Sequence, residues 1–173
     1  MLSSNNYNKR VVKIADMLVS QNSRDILVTY SLGSCLGVVI YDYKLKIGGM
    51  LHAMLPTSTL EKVPEKSPTF NPYKYIDTGL DALLNRFYKR GSKNKHLSIN
   101  VFGASKIFDR EDYFNIGKRN YIAFRKAIWQ RSIFIDNEHV GGVHHRTVKL
   151  NINLGKIKLD INKQNVIIYK LTP

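Results

Sequence analysis

Short apolar runs broken by turn-forming residues dominate the first third of the chain. Val11–Val19 reads as a first strand, Gln21–Asp25 as a turn, and the β-branched and aromatic stretch Ile26-Leu-Val-Thr-Tyr30 as a second strand. Gly33 and Ser34 interrupt the run before Leu36-Gly-Val-Val-Ile-Tyr41. Asp42–Lys46 then has the composition of a hairpin turn, and Ile47–Leu55 returns as the partner strand. From Pro56 to Pro72, four prolines (Pro56, Pro64, Pro68 and Pro72) stand among polar residues and exclude regular structure. The loop they define follows the return strand directly and is placed to form a wall beside it.

The period changes beyond this loop. Tyr75, Ile76, Leu80, Leu83, Leu84 and Phe87 recur at helical spacing, which predicts a helix over 73–88 with Pro72 at its first turn and Gly91 at its exit. Leu97–Phe102 alternates as a strand. A second helix is expected from a cap at Asn115 to about Arg131, with Ile116, Ile122, Ala123, Ala127 and Ile128 on its apolar side and Lys118, Arg119, Arg125 and Lys126 exposed. Ile133–Ile135 reads as a short strand, 136–146 as a glycine-containing loop, and 147–170 as an antiparallel meander with one buried face. Eight or nine strands and two helices predict an α+β fold: a layered sandwich with mostly antiparallel or mixed β-sheets in the centre and two main helices packed outside. The 173 residues, 43% of them hydrophobic, fit a single domain over 1–173 with a flexible N-terminus at 1–10.

Composition narrows the function classes. The 27 Lys and Arg against 13 Asp and Glu give a formal charge of +14, which favours an anionic partner. The charges are scattered and accompany no nucleic-acid motif, so no nucleic acid is expected. No apolar run approaches a membrane span and Met1–Arg10 lacks a signal-peptide core, which predicts a cytoplasmic protein without membrane insertion. The single cysteine leaves no internal disulfide and no multi-cysteine zinc site. His139, His144 and His145 lie on an expected flexible loop with no cysteine or carboxylate cluster nearby, so no metal and no cofactor are expected.

The candidate chemistry lies between Thr29 and Pro56. If the hairpin closes near Lys44, Cys35 at the far end of one arm faces the neighbourhood of His52 on the other. A thiol becomes a strong nucleophile when an adjacent imidazole takes its proton, and backbone N–H groups around Gly33 and Ser34 can hold the resulting oxyanion. Gly33-Ser-Cys-Leu-Gly37 has nucleophile-elbow spacing, but a strand rather than a helix follows, which excludes an α/β-hydrolase. On residue type alone a buried apolar cysteine, a core histidine at His52 and an ordinary strand threonine at Thr29 account for the same residues.

Thr29, Leu32-Gly-Ser-Cys35, Tyr41-Asp42 and Gly48–Pro56, at these mutual distances, closely resemble the signature of the CheD family, the chemoreceptor glutamine deamidases of bacterial chemotaxis. The resemblance continues through Tyr75-Ile-Asp77, Val101–Ala104, Ile116–Asn120, Val140–Gly142 and Arg146. It implies a protein-glutamine deamidase in which Cys35 is the nucleophile, His52 the base and Thr29 its orienting partner, acting on cytoplasmic helices of methyl-accepting chemotaxis receptors. It also implies a possible partner in the CheC phosphatase, and an alternative role as a non-catalytic or dual-role adaptor regulating that phosphatase. Two positions depart from the family pattern: Ala104 stands where a second glycine follows the phenylalanine, and His145 where a glycine precedes the arginine.

Overall fold

The structure, a computed structural model, describes residues 7–60, 63–106 and 115–171. Its strands are β1 (Asn8–Val11), β2 (Asp16–Ser20), β3 (Asp25–Leu32), β4 (Leu36–Asp42), β5 (Ile47–Ala53), β6 (Leu97–Gly103), β7 (Asn137–Val140), β8 (Arg146–Asn151), β9 (Lys156–Ile161) and β10 (Asn165–Lys170). The helices are α1 (Ile76–Tyr88) and α2 (Ile116–Trp129). The strands form two five-stranded sheets, an outer one in the order β1-β3-β8-β9-β10 and a central one in the order β2-β5-β4-β6-β7. β1 pairs with β3 and β7 with β6 in parallel; the remaining ladders are antiparallel. This is the α+β layered architecture expected from the sequence, with both helices on the same face of the central sheet.

The central sheet is apolar on both faces because it has a neighbour on each side. Val39, Tyr41, Met50 and Phe102 pack against Leu27, Val148, Leu150 and Leu159 of the outer sheet. Val38, Ile40, Leu51 and Ala53 pack against Leu80, Leu83 and Phe87 of α1 and Phe124 of α2. Adjacent glycines let both neighbours approach β5. A Cβ on Gly48 would lie 2.3 Å from Ile152 Cδ1 of the outer layer, and one on Gly49 would lie 2.6 Å from Phe87 Cε2 of α1. The β4–β5 hairpin closes as expected, with Asp42 opposite Ile47 and Asp42 Oδ1 accepting from the N–H groups of Lys44 and Leu45.

Several expectations need correction. Val11–Val19 is not one strand: the chain leaves the outer sheet after β1, turns at Ala15 (φ 54°) and enters the central sheet as β2. The expected flexible start at 1–10 is ordered from Asn8, where Asn8–Val11 pairs with Asp25–Val28; residues 1–6 lie outside the described residues. Ile133–Ile135 is not a strand, and β7 instead occupies part of the expected 136–146 loop. On α2 the buried residues are Gly117, Asn120, Phe124, Ala127 and Ile128, whereas Ile122 faces solvent. The proline-rich loop contains short 3-10 turns at Ser58–Leu60 and Pro72–Lys74, and the Ser58 N–H donates to both carboxylate oxygens of Asp77 in the first turn of α1.

Candidate active site

Thr29 and His52 meet across the two sheets, and Cys35 lies on the segment that passes from one sheet to the other. Thr29 is on β3 of the outer sheet, His52 is on β5 of the central sheet, and Gly33-Ser34-Cys35 is the crossover between β3 and β4. A bulge in β3, with Ser31 at φ 54°, shifts the β3–β8 register between Thr29 and Leu32 and keeps both side chains buried. Gly37 pairs directly opposite His52, so Cys35, the residue before β4, lies two positions short of the one opposite the histidine. Cys35 is half-buried and forms no disulfide, whereas Thr29 and His52 are 0% and 1% exposed.

Thr29 Oγ1 lies 2.7 Å from His52 Nδ1 and donates to the Val12 carbonyl oxygen at 2.9 Å. That carbonyl can only accept, and a hydroxyl has one proton. With the proton directed to Val12, Oγ1 must accept from Nδ1–H, so the imidazole is held in the tautomer that leaves a lone pair on Nε2. Nε2 is buried and has no partner among the described residues. An unpaired buried polar atom is costly, on the order of 1–3 kcal/mol, and such atoms concentrate at functional sites. Burial lowers the His52 pKa to about 4, and burial also raises that of the Cys35 thiol, partly offset by the cysteine's own backbone N–H. At neutral pH the imidazole is therefore neutral and the sulfur is a thiol.

The crossover is pinned through three consecutive carbonyls. The Gly33 oxygen accepts from the Ser105 N–H at 2.9 Å, and the Cys35 oxygen accepts from the Ala104 N–H at 2.9 Å. Between them, the Ser34 oxygen accepts from Asn120 Nδ2 at 3.0 Å. In a planar trans peptide the N–H points opposite to the carbonyl, so the N–H groups of Ser34 and Cys35 are turned away from these partners. Among the described residues neither donates to a backbone carbonyl. Gly103, at φ +106°, permits this approach: a Cβ there would lie 2.3 Å from the Cys35 oxygen.

Asn120, in the sequence one residue of the Ile116–Asn120 motif, has a specific place in the structure. Its Nδ2 donates both to Ser34 and to the Met54 carbonyl at 2.9 Å, tying the cysteine crossover to the end of the histidine strand. A polar residue on the otherwise apolar stripe of an amphipathic helix was the available signal. Arg146 acts one layer further out. Buried and without a carboxylate partner among the described residues, it donates to His139 Nδ1 at 2.8 Å, Ser105 Oγ at 2.5 Å and the Gly141 oxygen at 2.7 Å. Ser105 in turn holds Gly33. His139 thus spends its Nδ1 on the guanidinium, and His144 Nδ1 meets Asn162 Nδ2 at 3.0 Å.

Comparison with known proteins gives the family. The family model described as CheD chemotactic sensory transduction matches residues 54–161. A "Probable chemoreceptor glutamine deamidase CheD" of Solibacter usitatus is 41% identical over 152 residues, covering 88% of each chain. A "Probable chemoreceptor glutamine deamidase CheD 1" of Syntrophus aciditrophicus is 42% identical and covers 85% of this chain and 90% of its own. The "Chemoreceptor glutamine deamidase CheD" of Halalkalibacterium halodurans is 42% identical over 126 residues, 71% of this chain and 75% of that protein. A family model over more than half of the chain and relatives above 40% identity across most of both lengths establish that the chain belongs to the CheD family of chemotactic sensory transduction proteins.

Proposed function

We propose that the protein is a cysteine-dependent deamidase that converts glutamine side chains of methyl-accepting chemotaxis receptors to glutamate. The names of its relatives support the substrate class. The observation that carries the mechanism is the Val12–Thr29–His52 chain of hydrogen bonds, which leaves Nε2 as the available base.

In this mechanism Nε2 takes the Cys35 thiol proton as the sulfur attacks the carboxamide carbon, forming the S–C bond. The carbonyl oxygen becomes an oxyanion near the N–H groups of Ser34 and Cys35. Collapse of the tetrahedral intermediate breaks the C–N bond, and the imidazolium returns its proton to the nitrogen, which leaves as ammonia. Water, deprotonated by Nε2, then attacks the thioester; the carboxylate is released and the thiolate regains a proton. Thr29 acts as a positioning residue by accepting from Nδ1–H, which also stabilises the imidazolium in both half-reactions.

The test is mass spectrometry of a receptor cytoplasmic fragment incubated with the protein, following the mass gain of each Gln-to-Glu conversion. Wild type is expected to convert the fragment; Cys35→Ala and His52→Ala are expected to be inactive. Thr29→Val should fold and lose about 10- to 100-fold in kcat, within the range of a misplaced general base, while Thr29→Ser retains most activity. Conversion by Cys35→Ala at the wild-type rate would sink the mechanism.

A further inference from the structure

The outward side of α2 carries large apolar residues that the core does not use. Trp129 and Phe134 are 80% and 84% exposed, and Ile122 is 54% exposed. All three line a groove of about 920 Å3 between α2 and the 132–138 segment leading into edge strand β7. Single exposed apolar side chains are ordinary; several lining one groove mark an interaction surface.

The charges around the groove indicate what it fits. Lys118, Arg119, Arg125 and Lys126 are exposed on the same helix. Positions 118, 122, 125 and 129 follow helical spacing, so cations and apolar side chains share one stripe. The acids of the groove are already engaged: Glu138 accepts from the Tyr121 hydroxyl, and Asp136 accepts from the Ile99 N–H at 2.6 Å. Among the described residues, Lys118, Arg119 and Lys126 form no ion pair. An apolar floor with a cationic rim complements an amphipathic helix with acidic flanks. A second copy of this chain, at +14, would set positive charge against positive charge. The aliphatic Ile122, Ile133 and Ile135 beside the aromatics suit an apolar helix face better than stacked bases.

We propose that this groove is a docking site, separate from the reacting atoms, for an acidic amphipathic helix of the protein substrate. The identity of that substrate rests on the deamidase reading above; the surface itself does not. The helix that carries the groove also carries the clamp on the cysteine loop. Trp129 lies nine residues beyond Asn120, about 14 Å along the helix axis, so one bound helical segment can span both.

Trp129 is the sole tryptophan, so its emission reports on the groove directly. Titrating the full chain with a receptor cytoplasmic fragment should shift the emission to the blue and saturate. Phe134→Ser and the charge reversal Lys126→Glu should each weaken binding about tenfold and raise KM for the fragment by the same factor, with kcat unchanged. Turnover of a short unstructured glutamine peptide should not change in these variants. The proposal is overturned by unchanged emission at saturating fragment together with wild-type KM in both variants. A blue shift produced by raising protein concentration alone overturns it in favour of self-association, and one produced by an oligonucleotide that the fragment cannot displace overturns it in favour of nucleic acid. If the fragment binds at Trp129 but is never converted, docking stands and the deamidase reading fails.

Discussion

One proton on Thr29 fixes the protonation of the whole candidate triplet. Because Val12 offers only a carbonyl, the hydroxyl has no choice of donor and acceptor roles, and His52 is left with its base at Nε2. The same burial gives the imidazole a measurable signature. Its folded-state pKa, about 4, lies below the ordinary value of 6.5. Between these limits the unfolded chain binds the proton and the folded chain does not, so stability is intact above about pH 6.5 and falls as pH drops toward 4, by roughly 3 kcal/mol in total. Urea unfolding across this window should show that slope in wild type and a smaller one in His52→Asn; parallel profiles would refute the assignment. Ala104 gives a second test at this scale. It sits at φ 52° where the family pattern has a glycine, and an L side chain in the left-handed region is strained. Ala104→Gly should raise stability by about 0.5–1 kcal/mol in thermal or urea unfolding without loss of activity. His145, the other departure, has no positive φ, so its site does not need glycine.

At the scale of elements, the β3–β4 crossover is held by other parts of the chain rather than by its own turn chemistry. The end of β6 holds Cys35 through Ala104, the residue after Ala104 holds Gly33, and α2 holds Ser34. Gly103→Ala tests this support directly. A methyl group 2.3 Å from the Cys35 oxygen must push the crossover away, and the left-handed φ adds strain. Deamidation by Gly103→Ala should fall at least about 100-fold, the scale set by displacing an oxyanion donor, while the circular dichroism of helices and sheets is retained. Wild-type turnover in this variant would show that the crossover does not need its seat on β6.

For the whole molecule, charge is the property that local structure does not explain. An excess of +14 spread over the surface cannot specify a site, but it raises the encounter rate with an acidic partner. kcat/KM toward a receptor fragment should therefore fall several-fold as ionic strength rises from about 0.01 to about 0.15 M, where the screening length shrinks from roughly 30 to 8 Å, with kcat nearly constant. A salt-independent kcat/KM would remove the role of charge in encounter. No helix among the described residues is long and apolar enough to cross a membrane.

Features carried by neighbouring residues were readable before any coordinates. The 42–47 hairpin, the two helices and the β8–β10 meander follow from apolar period and turn residues, which act over a few positions. The pairing of Gly37 with His52 follows from the hairpin in the same way. The sheet assignment of Val11–Val19 was not readable, because an apolar run looks the same whether it stays in one sheet or turns at Ala15 into another. Periodicity also misplaced Ile122 and passed over Asn120: it ranks side chains by polarity, whereas a buried asparagine is tolerated where two carbonyls from distant segments, Ser34 and Met54, await a donor. Those carbonyls lie 86 and 66 positions away along the chain. Local pattern chose the elements, and long-range hydrogen bonding set how the cysteine crossover, the histidine strand and the threonine are held, because partners that far apart become neighbours only when the layers close.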